Sequence, residues 1–274
     1  MMLAPSPAHD KLSAMSRRTM AVTLLAGSAA LAACRAAPPD PGAVASAAMA
    51  PRAGVVLVHG FSRQPSHHAD QVLALTGVGV AVLTPALPSL LGGDEARDAA
   101  VQATAAAAIR LRARIGPATP LTLAGFSAGA AVATEATAQL ARDGHAPDGL
   151  VLLDPVPWSR TVNAAGSLPS GLPVLALLAP ASGCNANGRG AVLVAALPGP
   201  ARVATIGGAS HCDFEAPSDL LCRLACGPDD PGRRSAIITE LVRFAIAPRV
   251  RGRPLTDRGD RPTLAAAMPG RAAP

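Results

Sequence analysis

The sequence predicts one α/β domain in which a mostly parallel sheet is covered by helices on both faces. Short runs of valine, leucine and isoleucine recur along the chain, and alanine-rich or amphipathic stretches separate them. Because these runs are apolar at consecutive positions, each is typical of a strand that is buried on both sides. Regular alternation of strand and helix favours a parallel sheet. The 274 residues suffice for one substantial core of this kind.

Six strands and four helices are predicted. The strands lie at 55–58, 78–83, 121–125, 150–154, 172–178 and 201–206, and the helices at 68–76, 94–114, 128–142 and 233–246. The second helix opens with Asp94 and Glu95 and ends with three arginines, which matches the helix dipole. The segment 155–171 is a suitable place for a lid, but it is too short for a large helical cap. We therefore expect no large lid and an open cleft.

The formal charge of +6 resides in the ends of the chain. Residues 53–247, the predicted domain, hold 13 Arg against 14 Asp and Glu. A nucleic-acid-binding protein would carry clustered basic residues and interleaved aromatics on the folded domain, so we expect no nucleic-acid partner. Residues 248–274 contain six Arg and five Pro without helical periodicity, which predicts a basic, disordered tail.

The first 34 residues predict an export signal. Ser16-Arg17-Arg18-Thr19 resembles a twin-arginine motif, residues 20–33 are apolar, and Leu31-Ala32-Ala33-Cys34 resembles the lipobox of bacterial lipoproteins. Cys34 would then be lipidated, and the Ala/Pro-rich residues 35–52 would form a tether to the membrane. The protein is expected to be exported, in the periplasm or at the cell surface. The alternative is an ordinary secretory signal with a chance cysteine.

Four further cysteines, Cys184, Cys212, Cys222 and Cys226, fit two disulfides in an oxidising compartment. Of the three possible pairings we favour Cys184 with Cys212, on adjacent loops, and Cys222 with Cys226. The crossed pairings stay open. A metal site built from His211 and the last three cysteines is the alternative, which the C-x-x-x-C spacing and the export signal disfavour.

A pentapeptide, Gly125-Phe126-Ser127-Ala128-Gly129, lies where the third predicted strand turns into a helix. A G-x-S-x-G sequence in this context is typical of a nucleophile elbow, which presents the serine hydroxyl above the sheet. Small residues are needed two positions before and two positions after the serine, because in this tight turn a side chain there would clash with the neighbouring strand and helix. Ser127 is therefore the candidate nucleophile.

The partners of Ser127 follow by elimination, since in this arrangement an acid and then a histidine come later in the chain. His211 is the one histidine that comes after a plausible acid strand, and it follows the strand at 201–206. Among the acids between Ser127 and His211, Asp154 alone lies at the carboxyl end of a predicted strand. His211 would act as general base and acid, and Asp154 would orient its ring.

Two backbone N–H groups are the candidate oxyanion hole: that of Ala128, directly after the nucleophile, and that of Phe61, directly after His59-Gly60. We expect His59 to shape this loop. Phe61, Trp158 and Phe214 lie close in sequence to these groups and are predicted to line an apolar substrate pocket, whereas Phe126 is expected to pack under the loops.

The motifs together resemble the α/β-hydrolase family. They are Val58-His59-Gly60-Phe61, the elbow, Leu153-Asp154-Pro155-Val156 and Gly208-Ala209-Ser210-His211, and the resemblance covers residues 53–247. With Thr84-Pro85 they are most similar to the chlorophyllase-related branch, which often has Gly-His-Ser-Arg-Gly at the elbow instead. The resemblance implies hydrolysis of carboxylic esters, a small-molecule or lipid-like ester substrate, and no metal or organic cofactor. We expect a monomer.

Two other functions remain open. The same triad serves thioesterases, amidases and peptidases, because these share acyl-enzyme chemistry. A surface lipoprotein could also retain the fold as a binding module without catalysis, although an intact, ordered triad would then lack a purpose.

Overall fold

The computed structural model describes residues 50–88 and 93–247, which belong to one compact unit. Within them the strands are β1 (Ala53–Val58), β2 (Val80–Leu83), β3 (Leu121–Phe126), β4 (Gly149–Leu153), β5 (Val174–Leu178) and β6 (Ala201–Thr205). The α-helices are α1 (Ala69–Gly77), α2 (Gly93–Ile115), α3 (Ala128–Arg142), α4 (Ser159–Gly166), α5 (Gly190–Ala195), α6 (Leu220–Cys226) and α7 (Pro231–Ile246).

The strands form one six-stranded sheet in the order β2-β1-β3-β4-β5-β6, and each neighbouring pair is parallel. All strands therefore end at the same edge of the sheet. The register pairs Val58 with Gly125 and Phe126 with Leu153, so the loops that follow β1, β3 and β4 begin side by side. This edge brings together distant parts of the sequence.

Two apolar layers cover the sheet. Val56 and Val58 of β1 belong to the layer under α2 to α5, and Val55 and Leu57 belong to the layer under α1 and α7. Alternation within one apolar run thus fills both faces, as expected for a strand buried between helices. The predicted α/β fold with helices on both faces is confirmed.

The predicted strands and helices are all present, with ends displaced by no more than two residues. Three helices, α4, α5 and α6, were not predicted. Each spans six to eight residues, which is too short to display a helical period in the sequence. The segment 155–171 contains α4, which packs against α3 and buries Thr161 and Ala165.

The predicted export signal with Cys34, nearly all of the tether and the basic tail lie outside the described residues. Within the described part of the chain, no helix combines the length and apolar character needed to cross a membrane.

Candidate active site

Ser127 occupies the sharp turn between β3 and α3. Its φ of 56° and ψ of −125° are strained for a residue with a side chain. The flanking glycines permit this turn, because a methyl group on Gly125 would come within 2.3 Å of the Gly129 carbonyl oxygen, and one on Gly129 within 2.3 Å of the His59 carbonyl oxygen. The G-x-S-x-G spacing is thus a steric requirement of the fold.

His211 lies between Ser127 and Asp154. Its Nε2 is 2.9 Å from Ser127 Oγ, and its Nδ1 is 2.6 Å from Asp154 Oδ2. All three side chains are buried. If Nδ1 carries the proton and donates to the carboxylate, Nε2 is free to accept from the serine hydroxyl, which is the arrangement needed to activate a serine.

Asp154 directly follows β4 and has a φ of 40°, in the left-handed region. Its Oδ1 accepts from the Ala179 N–H at 3.0 Å and from Asn185 Nδ2 at 3.3 Å, so its Oδ2 is left for His211. Asn185 was not singled out from the sequence. The one signal that could have identified it is that the loop after β5, from Pro180 to Gly190, contains no carboxylate.

His211 begins a short 3-10 turn, His211–Phe214, at the end of the loop after β6. Asp213 closes this turn: its carboxylate accepts from the Ser210 N–H at 2.8 Å and from Arg233 Nε at 2.9 Å. The ring of Phe126 packs against the imidazole with centroids 4.6 Å apart. The predicted place of Phe126 under the loops is therefore correct, and its ring supports His211 from below the cleft.

The loop after β1 lies directly against the elbow, since a methyl group on Gly60 would be 3.1 Å from Ser127 Cβ. Phe61, the next residue, and Ala128, the first residue of α3, thus flank the serine. A helix's first N–H has no acceptor within the helix, so that of Ala128 is available to a ligand. The two predicted oxyanion donors therefore come from elements that meet at Ser127.

His59 is buried beneath this loop and shapes it. Its Nε2 accepts from the Leu87 N–H at 3.4 Å, which leaves Nδ1 to donate to the Gly60 carbonyl oxygen at 3.1 Å. Burial lowers the pKa of His59, and the Gly60 hydrogen bond offsets part of this effect. A neutral ring with this tautomer supports the turn that carries Phe61.

The predicted pairing of the cysteines is wrong. The disulfides join Cys184 to Cys226 and Cys212 to Cys222. Cys222 and Cys226 both lie on α6, and β-carbons four residues apart on a helix are about 5–6 Å from each other, too far for a disulfide, which needs about 3.5–4.5 Å. The sequence did not reveal that helix.

The sulfur atoms of Cys212, Cys222 and Cys226 lie within 4.8 Å of one another. All three belong to disulfides, and a metal site would require thiolates. His211 is hydrogen-bonded to Ser127 and Asp154. The residues of the alternative metal site are therefore committed to other bonds in this structure.

The candidate pocket residues have different environments. Phe61 is 46% exposed, as a pocket residue should be. Phe214 is fully buried in the core beside α7, so its assignment to the pocket is wrong; the 3-10 turn directs its side chain inward. One face of Trp158 is covered by the guanidinium of Arg97, 4.9 Å from the ring centroid, and its role in a pocket stays a prediction.

One exposed apolar surface, the outer face of α6, was not predicted from the sequence. Leu220, Leu221 and Leu224 are 62%, 73% and 74% exposed. The Cys212–Cys222 disulfide attaches α6 to the residue next to His211.

Comparisons with known proteins agree with this geometry. The family model described as thioesterase domain matches residues 79–223, more than half of the chain. The chain belongs to the thioesterase domain family. The matched residues include Ser127, Asp154 and His211, and membership in this family makes the chain a hydrolase at the level of the family. No curated protein matches the sequence.

Solved structures of α/β-hydrolases share the fold of this thioesterase-family chain. An esterase domain from Rhodothermus marinus has 15% identity and a TM-score of 0.53, over 74% of this chain and 90% of that one. Dienelactone hydrolase from Anabaena variabilis has 15% identity and a TM-score of 0.52, over 73% and 88%. Est1E from Butyrivibrio proteoclasticus with bound ferulic acid has 16% identity and a TM-score of 0.51, over 76% and 95%. The α/β-hydrolase fold is thus confirmed.

Proposed function

We propose that the protein is a serine hydrolase that cleaves carboxylic esters through an acyl-enzyme intermediate. The observation that carries the proposal is the continuous chain of hydrogen-bond distances from Ser127 Oγ through His211 to Asp154, at 2.9 and 2.6 Å. The esterases among the solved structures with this fold support it, as do the motifs shared with the chlorophyllase-related branch.

The proposed reaction has two halves. His211 Nε2 removes the hydroxyl proton as Ser127 Oγ attacks the ester carbonyl, and the oxyanion is stabilised by the N–H groups of Phe61 and Ala128. The protonated imidazole then donates to the departing alcohol, leaving an acyl group on Ser127. Water, activated by His211, attacks this acyl group and releases the acid with regeneration of Ser127.

The exposed apolar side chains near the site favour an ester with an apolar part. Phe61 is exposed in the loop that packs against Ser127, and three exposed leucines lie on α6, which a disulfide attaches to the residue after His211. An apolar group of the substrate that contacts these side chains would gain about 25 cal/mol of binding free energy per Å² of apolar surface removed from water. We therefore include lipid-like esters among the candidate substrates.

Thioester hydrolysis is the second candidate, favoured by the family match. It uses the same residues, because the acyl-enzyme is the same and only the leaving group differs. The test is to compare p-nitrophenyl butyrate with the butyryl thioester of N-acetylcysteamine, using wild type and Ser127→Ala. Activity that depends on Ser127 supports a serine hydrolase, and the ratio of kcat/KM decides between oxygen esters and thioesters. A folded wild type that is inert on both, and is not labelled by a fluorophosphonate, would leave the binding module as the better account.

We also propose that the protein is an exported lipoprotein with Cys34 as its lipidated residue. Its two disulfides support an oxidising compartment. Mass spectrometry of the N-terminal peptide from membranes should find a diacylglyceryl group on Cys34, and Cys34→Ala should release the protein from the membrane fraction. A soluble wild type with an unmodified Cys34 would contradict the proposal.

A further inference from the structure

An ion-pair network joins the two loops that hold opposite sides of the candidate site. We call residues 59–68, after β1, the oxyanion loop, and residues 209–219, after β6, the histidine loop. Arg63 of the oxyanion loop donates from Nε to Glu215 Oε2 at 2.7 Å, and its Nη2 also contacts Glu215 Oε1. Its Nη1 donates to Asp219 Oδ2 at 2.9 Å. One guanidinium therefore binds two carboxylates of the histidine loop.

The network is largely buried. The Arg63 side chain is 12% exposed and that of Glu215 is not exposed at all. Burial of a charge pair costs desolvation energy, and apolar side chains could join two loops at a lower cost. What an arginine adds is geometry, because its planar fork fixes both the distance and the angle of a carboxylate.

Further contacts join the loops on the far side of Arg63. The Ala216 N–H donates to the His67 carbonyl oxygen at 2.8 Å, and Asp70 N–H donates to the Ala216 carbonyl oxygen at 3.0 Å. Asp219 also caps α6, and the Cys222 N–H and Arg63 together hold the pKa of this carboxyl below its ordinary value. The histidine loop is therefore a well-anchored support for Arg63.

Phe61 lies in a tight turn close to Arg63. Ser62 adopts a φ of 53°, in the left-handed region, and the Arg63 N–H donates to the Gly60 carbonyl oxygen at 3.2 Å. The N–H of Ala128, in contrast, is fixed by the start of α3. The orientation of the Phe61 N–H depends on this strained turn. His59 supports the turn from the β1 side, and the Arg63 side chain attaches it to the histidine loop.

We propose that Arg63 is a positioning residue that holds the Phe61 N–H in the oxyanion hole, at a fixed distance from Ser127 and His211, through its contacts with Glu215 and Asp219. The inference rests on the proposed function. It assigns to Arg63 an effect on the transition state rather than on substrate binding or on the basicity of His211. Loss of a complete oxyanion donor typically lowers kcat by about 10²–10³-fold, and a misplaced donor should have a smaller effect.

The test compares Arg63→Met and Arg63→Lys with wild type in the full chain. Arg63→Met should lower kcat by about 10–100-fold with KM within about threefold. It should also weaken the binding of a boronic acid inhibitor by a similar factor, because the tetrahedral adduct of the inhibitor with Ser127 occupies the oxyanion hole. The pH midpoint of kcat/KM should stay unchanged, because the contacts of His211 are intact. Arg63→Lys retains the charge without the fork and should be intermediate.

Arg112→Met is the matched control. Arg112 is also a partly buried arginine, and it pairs with Asp148 before β4, at the opposite edge of the sheet from Ser127. This variant should lower thermal stability while kcat and inhibitor affinity stay near wild type. This control distinguishes the effect of losing a partly buried ion pair from the effect of a displaced oxyanion donor.

The proposal is overturned if folded Arg63→Met retains wild-type kcat and inhibitor affinity while its stability falls, since Arg63 would then have only a structural role. If Arg63→Met does not fold, Glu215→Gln with the same measurements decides in its place. Failure of the proposed function has a different signature, because wild type itself would then show no hydrolysis that depends on Ser127.

Discussion

Replacement of Asp154 by asparagine should abolish most of the activity while leaving the shape of the site intact. Asp154 Oδ1 accepts from the Ala179 N–H at 3.0 Å and from Asn185 at 3.3 Å, and Oδ2 faces His211 Nδ1 at 2.6 Å. In the variant, the amide oxygen must take the place of Oδ1, because an NH₂ group there would face two donors. The NH₂ group then points at His211.

The consequence is the wrong tautomer of the imidazole. An NH₂ group donates to Nδ1, so the ring proton moves to Nε2, which lies 2.9 Å from Ser127 Oγ and can no longer accept the hydroxyl proton. In a serine protease the equivalent change lowers kcat about 10⁴-fold. At about 1.36 kcal/mol per factor of ten, this corresponds to roughly 5 kcal/mol of transition-state stabilisation.

The assay is p-nitrophenyl butyrate hydrolysis by wild type and Asp154→Asn, with circular dichroism to verify folding. Asp148→Asn is the control, because Asp148 also accepts a backbone N–H, that of Leu121 at 2.9 Å, but lies at the opposite edge of the sheet. It should retain activity. If folded Asp154→Asn stays within tenfold of wild type, Asp154 does not set the tautomer of His211 and the assignment of the acid fails.

Three further predictions concern stability. Replacing the Cys212–Cys222 pair by alanines, which opens a loop of 10 residues, should lower the free energy of unfolding in urea by about 3 kcal/mol. Replacing the Cys184–Cys226 pair, which opens a loop of 42 residues, should lower it by about 4 kcal/mol. Unchanged urea midpoints would refute this. Gly129→Ala should cost more than about 3 kcal/mol because of its clash at 2.3 Å, whereas Gly171→Ala, with nothing within 4 Å, should stay within about 1 kcal/mol; equal effects would contradict the steric account. His68 is fully buried, which lowers its pKa to about 3. Below pH 6.5 the unfolded chain binds a proton at His68 that the folded chain excludes. The free energy of unfolding should therefore fall by up to about 1.4 kcal/mol per pH unit as the pH decreases from 6.5 towards 3. Urea unfolding should show a shallower pH dependence for His68→Leu than for wild type in this range, and identical slopes would exclude the effect.

The fold, and the proximity of Ser127, His211 and Asp154, could be predicted because each rests on a local pattern. Buried strands produce continuous apolar runs, the elbow requires glycines at fixed spacing, and chain order leaves few acids that could serve His211. Phe214 could not be placed, because a residue three positions after His211 can point to either side of the 3-10 turn. Nor does the sequence indicate that His68 is buried beside Phe126, where the ring centroids are 6.3 Å apart. A polar residue type does not reveal a tertiary contact.

The error in the cysteine pairing has a structural explanation that also concerns the site. The favoured pairing would have joined the β5 and β6 loops directly and left α6 linked only to itself. In the structure, both disulfides end on α6, one at Cys222 and one at Cys226. A helix of seven residues is marginal by itself, so these covalent bonds hold it in place.

Through α6, the disulfides connect the supports of the acid and of the histidine. Cys212 directly follows His211, while Cys184 directly precedes Asn185, which donates to Asp154. The loop after β5 therefore supplies a hydrogen bond to the acid instead of the acid itself, and it is braced against the loop that carries His211. The Nδ1 to Oδ2 distance depends on where both loops hold these two side chains, so the two disulfides together constrain the contact between His211 and Asp154.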